Sequence, residues 1–95
     1  INAPFIKDSF VMNFGDMLHR WSNGLFISTP HRVINSSGKE RYSCPFFFEP
    51  NINAKVSPLP CCITPEKPQQ FESIVYGEFL RTELQSGYNR HALTD

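Results

Sequence analysis

Three residues near the middle of the chain carry groups whose type and spacing could do chemistry: His31, Arg41 and Ser43. An imidazole is the commonest metal ligand among side chains, yet a lone histidine on a strand is more often structural or exposed, so His31 alone supports either reading. Arg41 and Ser43 lie two apart, and strand side chains repeat with a period of two, so they share a face. A guanidinium fork grips a carboxylate through two parallel charge-assisted hydrogen bonds, and a hydroxyl can add a third. The alternative is an arginine at a strand edge pairing in solvent with Glu40 or Glu49, an arrangement worth little. Burial separates the two. Phe47 falls on the same face and either lines the substrate side of a pocket or packs as core, as Phe46 and Phe48 do. His19, beside Arg20 on a short helix, is expected to face water, and His91 lies near the chain's end.

Positioning these groups requires strands. Residues 9–14, with Phe10, Val11, Met12 and Phe14, read as a buried strand that Gly15 and Asp16 break. Phe14, Met17, Leu18 and Trp21 then fall at i, i+3, i+4 and i+7, which predicts a short amphipathic helix with Asp16 as N-cap and Met17, Leu18 and Trp21 in the core. Asn23 and Gly24, both tolerant of positive φ, end it. Residues 25–27 and 31–35 are expected as brief strands, the second closed by Ser36, Ser37 and Gly38. The run 40–49 alternates Arg41, Ser43, Pro45 and Phe47 with Tyr42, Cys44, Phe46 and Phe48, the pattern of a strand between a packed core and a lined cavity.

Across residues 50–68 five prolines remove backbone donors and fix φ, so this stretch is expected to be an ordered but irregular loop. A closing helix is expected over about 75–87, where Val75 or Tyr76, Phe79, Leu80 and Leu84 keep helical spacing and Gly87 is placed to terminate it.

The chain's 95 residues make at most one small domain, and 40% apolar with 14% aromatic content argues against disorder. Nine Lys and Arg balance nine Asp and Glu without a like-charge cluster, which argues against nucleic acid as the main partner. No apolar run approaches the roughly 18 residues of a membrane span, and the first residues lack a basic-then-apolar signal pattern, so a cytoplasmic setting is expected. Of the three cysteines, Cys61 and Cys62 are adjacent. Their Cα atoms lie about 3.8 Å apart, too close for an ordinary disulfide, and no spacing suits structural zinc.

Taken together, Asn13-Phe14-Gly15-Asp16-Met17-Leu18, Trp21-Ser22-Asn23-Gly24, Ser28-Thr29-Pro30-His31-Arg32-Val33, Arg41-Tyr42-Ser43 and Pro45-Phe46-Phe47-Phe48 resemble, in order, the C-terminal half of the iron(II) and 2-oxoglutarate-dependent dioxygenases. The subgroup most similar is the one that includes isopenicillin N synthase. Tyr76-Gly77-Glu78-Phe79-Leu80 resembles that group's closing helix. The resemblance implies an all-β fold, a partial double-stranded β-helix or jelly roll with a short helix and a C-terminal helix. It further implies that residues 9–49 carry the metal and co-substrate motifs, with His31 as an iron ligand and Arg41 and Ser43 holding the distal carboxylate of 2-oxoglutarate. In such enzymes two His and one carboxylate bind Fe(II) on one face and leave positions for 2-oxoglutarate and O₂. The implied reaction hydroxylates, desaturates or cyclises a small organic substrate while 2-oxoglutarate becomes succinate and CO₂.

Departures from the pattern set further expectations. None of His19, His31 or His91 has Asp or Glu two positions on, so the family's His-x-Asp ligand pair is absent from these residues. About eight strands complete a jelly roll, and four are read here, so the chain is expected to be part of a larger domain. The open sheet edges would pair with the N-terminal half of the same protein or with a second copy. Two alternatives remain: an iron oxidase of the same family that does not use 2-oxoglutarate, and a non-catalytic jelly-roll piece that binds or self-associates.

Overall fold

The computed structural model describes residues 1–92, with side chains through Gly87 and so without that of His91. In chain order its elements are helix α1 (Asp16–Trp21), strand β1 (Lys55–Val56), a 3-10 turn (Pro60–Cys62), strand β2 (Ile74–Val75) and helix α2 (Tyr76–Ala92).

Six residues are too few for a free helix to persist in water, so α1 depends on what it docks against. Gly15, and not Asp16, occupies the N-cap, without a side-chain capping bond. At the other end Asn23 (φ 53°) and Gly24 (φ 81°) take the left-handed conformation expected of them, and the Gly24 N–H closes on the His19 carbonyl at 2.7 Å. Met17, Leu18 and Trp21 are half-buried. The Trp21 carbonyl accepts the Leu59 N–H at 2.9 Å, which joins α1 to the proline-rich segment.

That segment is ordered and largely irregular, as its prolines dictate. Within and beyond it, β1 and β2 pair antiparallel with Lys55 opposite Val75 and Val56 opposite Ile74. Val56, Pro58 and Tyr76 are buried at this junction. The first amides of α2 have no partners inside the helix. Loop carbonyls supply them: the Tyr76 N–H donates to Ala54 at 2.9 Å and the Gly77 N–H to Ile52 at 2.8 Å. Helix α2 runs through Gly87 to Ala92, so that glycine does not end it. Phe79 and Leu80 are half-buried, whereas Leu84 is exposed.

The largest departure from expectation lies in residues 1–50. Segments 9–14, 25–27, 31–35 and 40–49 form no strands, and α1 is the one regular element there. A strand obtains its backbone hydrogen bonds from a neighbour, and within the chain these segments find none. Their apolar side chains accordingly stay in solvent, Phe10 at 99% and Phe48 at 95% of full exposure. The family's jelly roll is thus not assembled from these residues alone.

Candidate functional site

The turn 36–38 forms as its sequence predicts. Asn35 Oδ1 accepts the Ser37 N–H at 3.2 Å, Asn35 Nδ2 donates to the Lys39 carbonyl at 2.8 Å, and Gly38 takes φ 68°. Chain reversal there returns residue 41 towards the preceding arm, and Arg41 Nη1 donates to the Ile34 carbonyl at 3.0 Å. Neither nearby carboxylate pairs with Arg41. Glu40 accepts the Tyr42 hydroxyl at 2.7 Å, which holds the Tyr42 pKa above its usual value, and Glu49 accepts the hydroxyl of Tyr76.

His31 Nδ1 lies 2.8 Å from the Thr29 carbonyl. A carbonyl only accepts, so Nδ1 is the donor, and Nε2 is the ring nitrogen left for another partner. His31, Arg41, Ser43 and Phe47 are all exposed, Phe47 at 74%, and no hydrogen bond joins His31 to Arg41 or Ser43. Their exposure accompanies the missing strands: the structure shows them all in solvent and does not join His31 to Arg41 or Ser43.

Iron of this type needs three ligands on one face. Among the described residues, no group of three His, Cys, Asp or Glu side chains could hold a metal ion. His31 therefore stands without a complete ligand set among the described residues.

The matches agree with those motifs. Residues 1–50 match the model of the 2OG-Fe(II) oxygenase superfamily. The chain belongs to this family. A homoarginine-6-hydroxylase of Oryza sativa subsp. japonica is 44% identical over 81 residues, covering 84% of this chain and 25% of the relative. A 2-oxoglutarate-dependent dioxygenase of Penicillium crustosum is 37% identical over 95 residues, covering 100% of this chain and 26% of the relative. A gibberellin 3-beta-dioxygenase of Arabidopsis thaliana is 35% identical over 83 residues, covering 87% and 23%. The chain spans about a quarter of the length of these relatives. No solved structure matches it. No helix among the described residues is long and apolar enough to cross a membrane.

The long-range contacts of Asn23, His19 and Arg20 had no sequence reading. Asn23 is fully buried. Its amide donates to the carbonyls of Cys62 (3.2 Å), Lys67 (3.4 Å) and Pro68 (3.1 Å), and its Oδ1 accepts the Gln70 N–H at 2.8 Å. Asn-Gly after a helix signals the left-handed turn, but nothing local signals that residues 62–70 return to it. His19, expected to face water, is half-buried. Its Nδ1 donates to the Phe26 carbonyl at 2.7 Å, and its ring meets Phe71 edge-on at 5.3 Å. Arg20 lies over Phe71 and Phe79, 5.2 and 5.7 Å from the ring centroids, and completes the contact between α1 and the C-terminal half.

Proposed function

We propose that this chain is the C-terminal part of an oxygenase that uses Fe(II), O₂ and 2-oxoglutarate to hydroxylate, desaturate or cyclise a small organic molecule. The observation that carries the reading is the family match over residues 1–50, which includes His31, Arg41, Ser43 and Phe47. In this assignment His31 contributes Nε2 to the metal, with Nδ1 anchored on Thr29. Arg41 and Ser43 bind the distal carboxylate of 2-oxoglutarate, an acceptor suited to a planar fork and a hydroxyl. Phe47 lines the substrate side. Relatives named for homoarginine and for gibberellin match at comparable identity, so the reading stops at a small organic substrate.

The remaining iron ligands and the strands that cover residues 9–49 come from the rest of the same protein, which completes the double-stranded β-helix and buries the shared face. Residues 50–68 and α2 then close that domain, in a cytoplasmic protein. Covering the sheet matters chemically, because excluding water strengthens the carboxylate clamp.

The test uses the complete protein. His31→Ala is expected to abolish iron binding and turnover together. Arg41→Ala is expected to retain iron and weaken 2-oxoglutarate roughly tenfold or more, since truncating one partner of a buried charge-assisted contact commonly costs about 2–5 kcal/mol. Succinate should appear in step with product. Full turnover by His31→Ala overturns the metal assignment, and turnover without succinate overturns the co-substrate assignment.

A further inference from the structure

Cys61 and Cys62 stand apart from the motifs that define the family. Their sulfurs lie 3.9 Å from each other on the 3-10 turn Pro60–Cys62, with the Cys61 thiol exposed and that of Cys62 half-buried. The turn is held from several sides. Proline at its first position fixes φ, the Cys62 N–H donates to Leu59 at 2.9 Å, and the Ile63 N–H donates to Pro60 at 3.2 Å. Buried Asn23 holds the Cys62 carbonyl at 3.2 Å. Both thiols open onto a cavity of about 200 Å³ that Leu25, Thr64 and Lys67 also line.

An ordinary disulfide does not suit this pair, because adjacent residues bring Cα atoms closer than the bond normally tolerates. Chelation does suit it. Two bonds of about 2.3 Å to one centre separate the sulfurs by roughly 3.3 Å at a pyramidal angle near 90° and roughly 3.8 Å at a tetrahedral one. The observed separation is nearly the larger value, so little reorganisation is needed for both sulfurs to bind one centre. The cavity adds room for a substituent, since a void of roughly 150 Å³ accepts a benzene ring. We propose that Cys61 and Cys62 form a preorganised dithiol site for a thiophilic centre, of which an organic trivalent arsenical is the simplest type.

Burial pushes the Cys62 thiol pKa up, the hydrogen bond to Cys61 adds to that, and the Lys67 ammonium pulls the other way. Single-thiol attack by Cys62 is thereby suppressed, whereas a centre that takes both sulfurs removes both protons. With phenylarsonous acid, the hydrated form of phenylarsine oxide, two As–OH bonds break and two As–S bonds form. The thiol protons leave with the hydroxyls as two waters, and arsenic stays trivalent.

Titration of the full chain with phenylarsine oxide tests this, with circular dichroism of each variant confirming the fold. The expected result is one equivalent bound, retained in excess 2-mercaptoethanol and released by 1,2-ethanedithiol. Cys61→Ser and Cys62→Ser should each weaken binding at least a hundredfold, and Cys44→Ser, which alters a separate exposed thiol, should leave it unchanged. Equal affinity of wild type and Cys61→Ser, or loss of binding in Cys44→Ser, overturns the proposal.

Discussion

Residues 1–50 and 51–92 of this chain are built on opposite terms. The first stretch holds the family match and all four candidate site residues, yet contains one six-residue helix and leaves most of its aromatic side chains in solvent. The second supplies both strands, the long helix and the buried pair Val56 and Tyr76. The second stretch satisfies more of its own backbone groups, because a proline-rich loop, a two-residue ladder and the start of a helix bond one another within residues 52–77. Strands take their backbone partners from a neighbour, so the candidate site residues lie in the stretch that forms no strands among the described residues.

The two stretches meet at several points, and the one with the most hydrogen bonds is Asn23. Replacing it with Ala orphans the Cys62 and Pro68 carbonyls and the Gln70 N–H, leaves the Lys67 carbonyl with the Thr64 N–H alone, and places an L residue at φ 53° without the amide that favours it there. Asn23→Ala is expected to destabilise the chain by roughly 2–4 kcal/mol in urea unfolding. Asn23→Gly, which relieves the backbone without restoring the amide, should recover about 1 kcal/mol of that loss. If both variants unfold at the wild-type urea midpoint, the two stretches are not joined through this side chain.

Within the second stretch the tightest contact is at Gly77. A Cβ there would stand 2.6 Å from Ile52 Cγ1 and 2.8 Å from the Ile52 carbonyl oxygen. The side chain could turn aside, but the carbonyl is held by the Gly77 N–H itself. Gly77→Ala should therefore separate α2 from the loop at a cost of about 1–3 kcal/mol, the usual range for overpacking. Gly87→Ala is the internal control, because nothing lies within 4 Å of its Cβ position and the helix continues through it. Equal urea midpoints for the two variants would show that the α2 docking seen here contributes nothing to stability.

What was legible in the sequence follows the same division. Helix α1, the left-handed pair Asn23 and Gly24, the turn at 36–38 and the closing helix were all readable, because each is encoded by neighbours within a few residues. Strands at 9–14, 25–27 and 31–35 are read from short apolar runs and the turn residues that bound them, and the strand at 40–49 from alternation, signals that do not record whether the chain supplies a partner. The candidate site was legible as a list of residue types and as a family pattern. Its enclosure was not, since burial of Arg41 depends on layers that local sequence does not describe. Asn23 and the His19 contact with Phe71 escaped for a related reason: each joins positions more than forty residues apart.

The finest test of the junction is a proton. Tyr76 donates to Glu49, the last residue but one of the first stretch, from a position only 4% exposed. Burial, then the hydrogen bond and the negative charge of Glu49, push its pKa from 10.0 up to about 12. Between those values the unfolded hydroxyl has lost its proton while the folded one retains it. Tyr76 therefore contributes its stabilisation fully below about pH 10, and that contribution declines as pH rises and is lost through about 12. Tyr76→Phe should lower stability by about 1 kcal/mol at neutral pH, the scale of one hydrogen bond, and should flatten the decline of the urea midpoint across that alkaline window. Tyrosinate absorbance gives an independent reading, because a phenol that ionises late in the wild type should be missing from the variant. Were the alkaline slopes of the two proteins to coincide, the end of the first stretch would not be anchored through this hydroxyl, and the contrast between the halves would extend to their boundary.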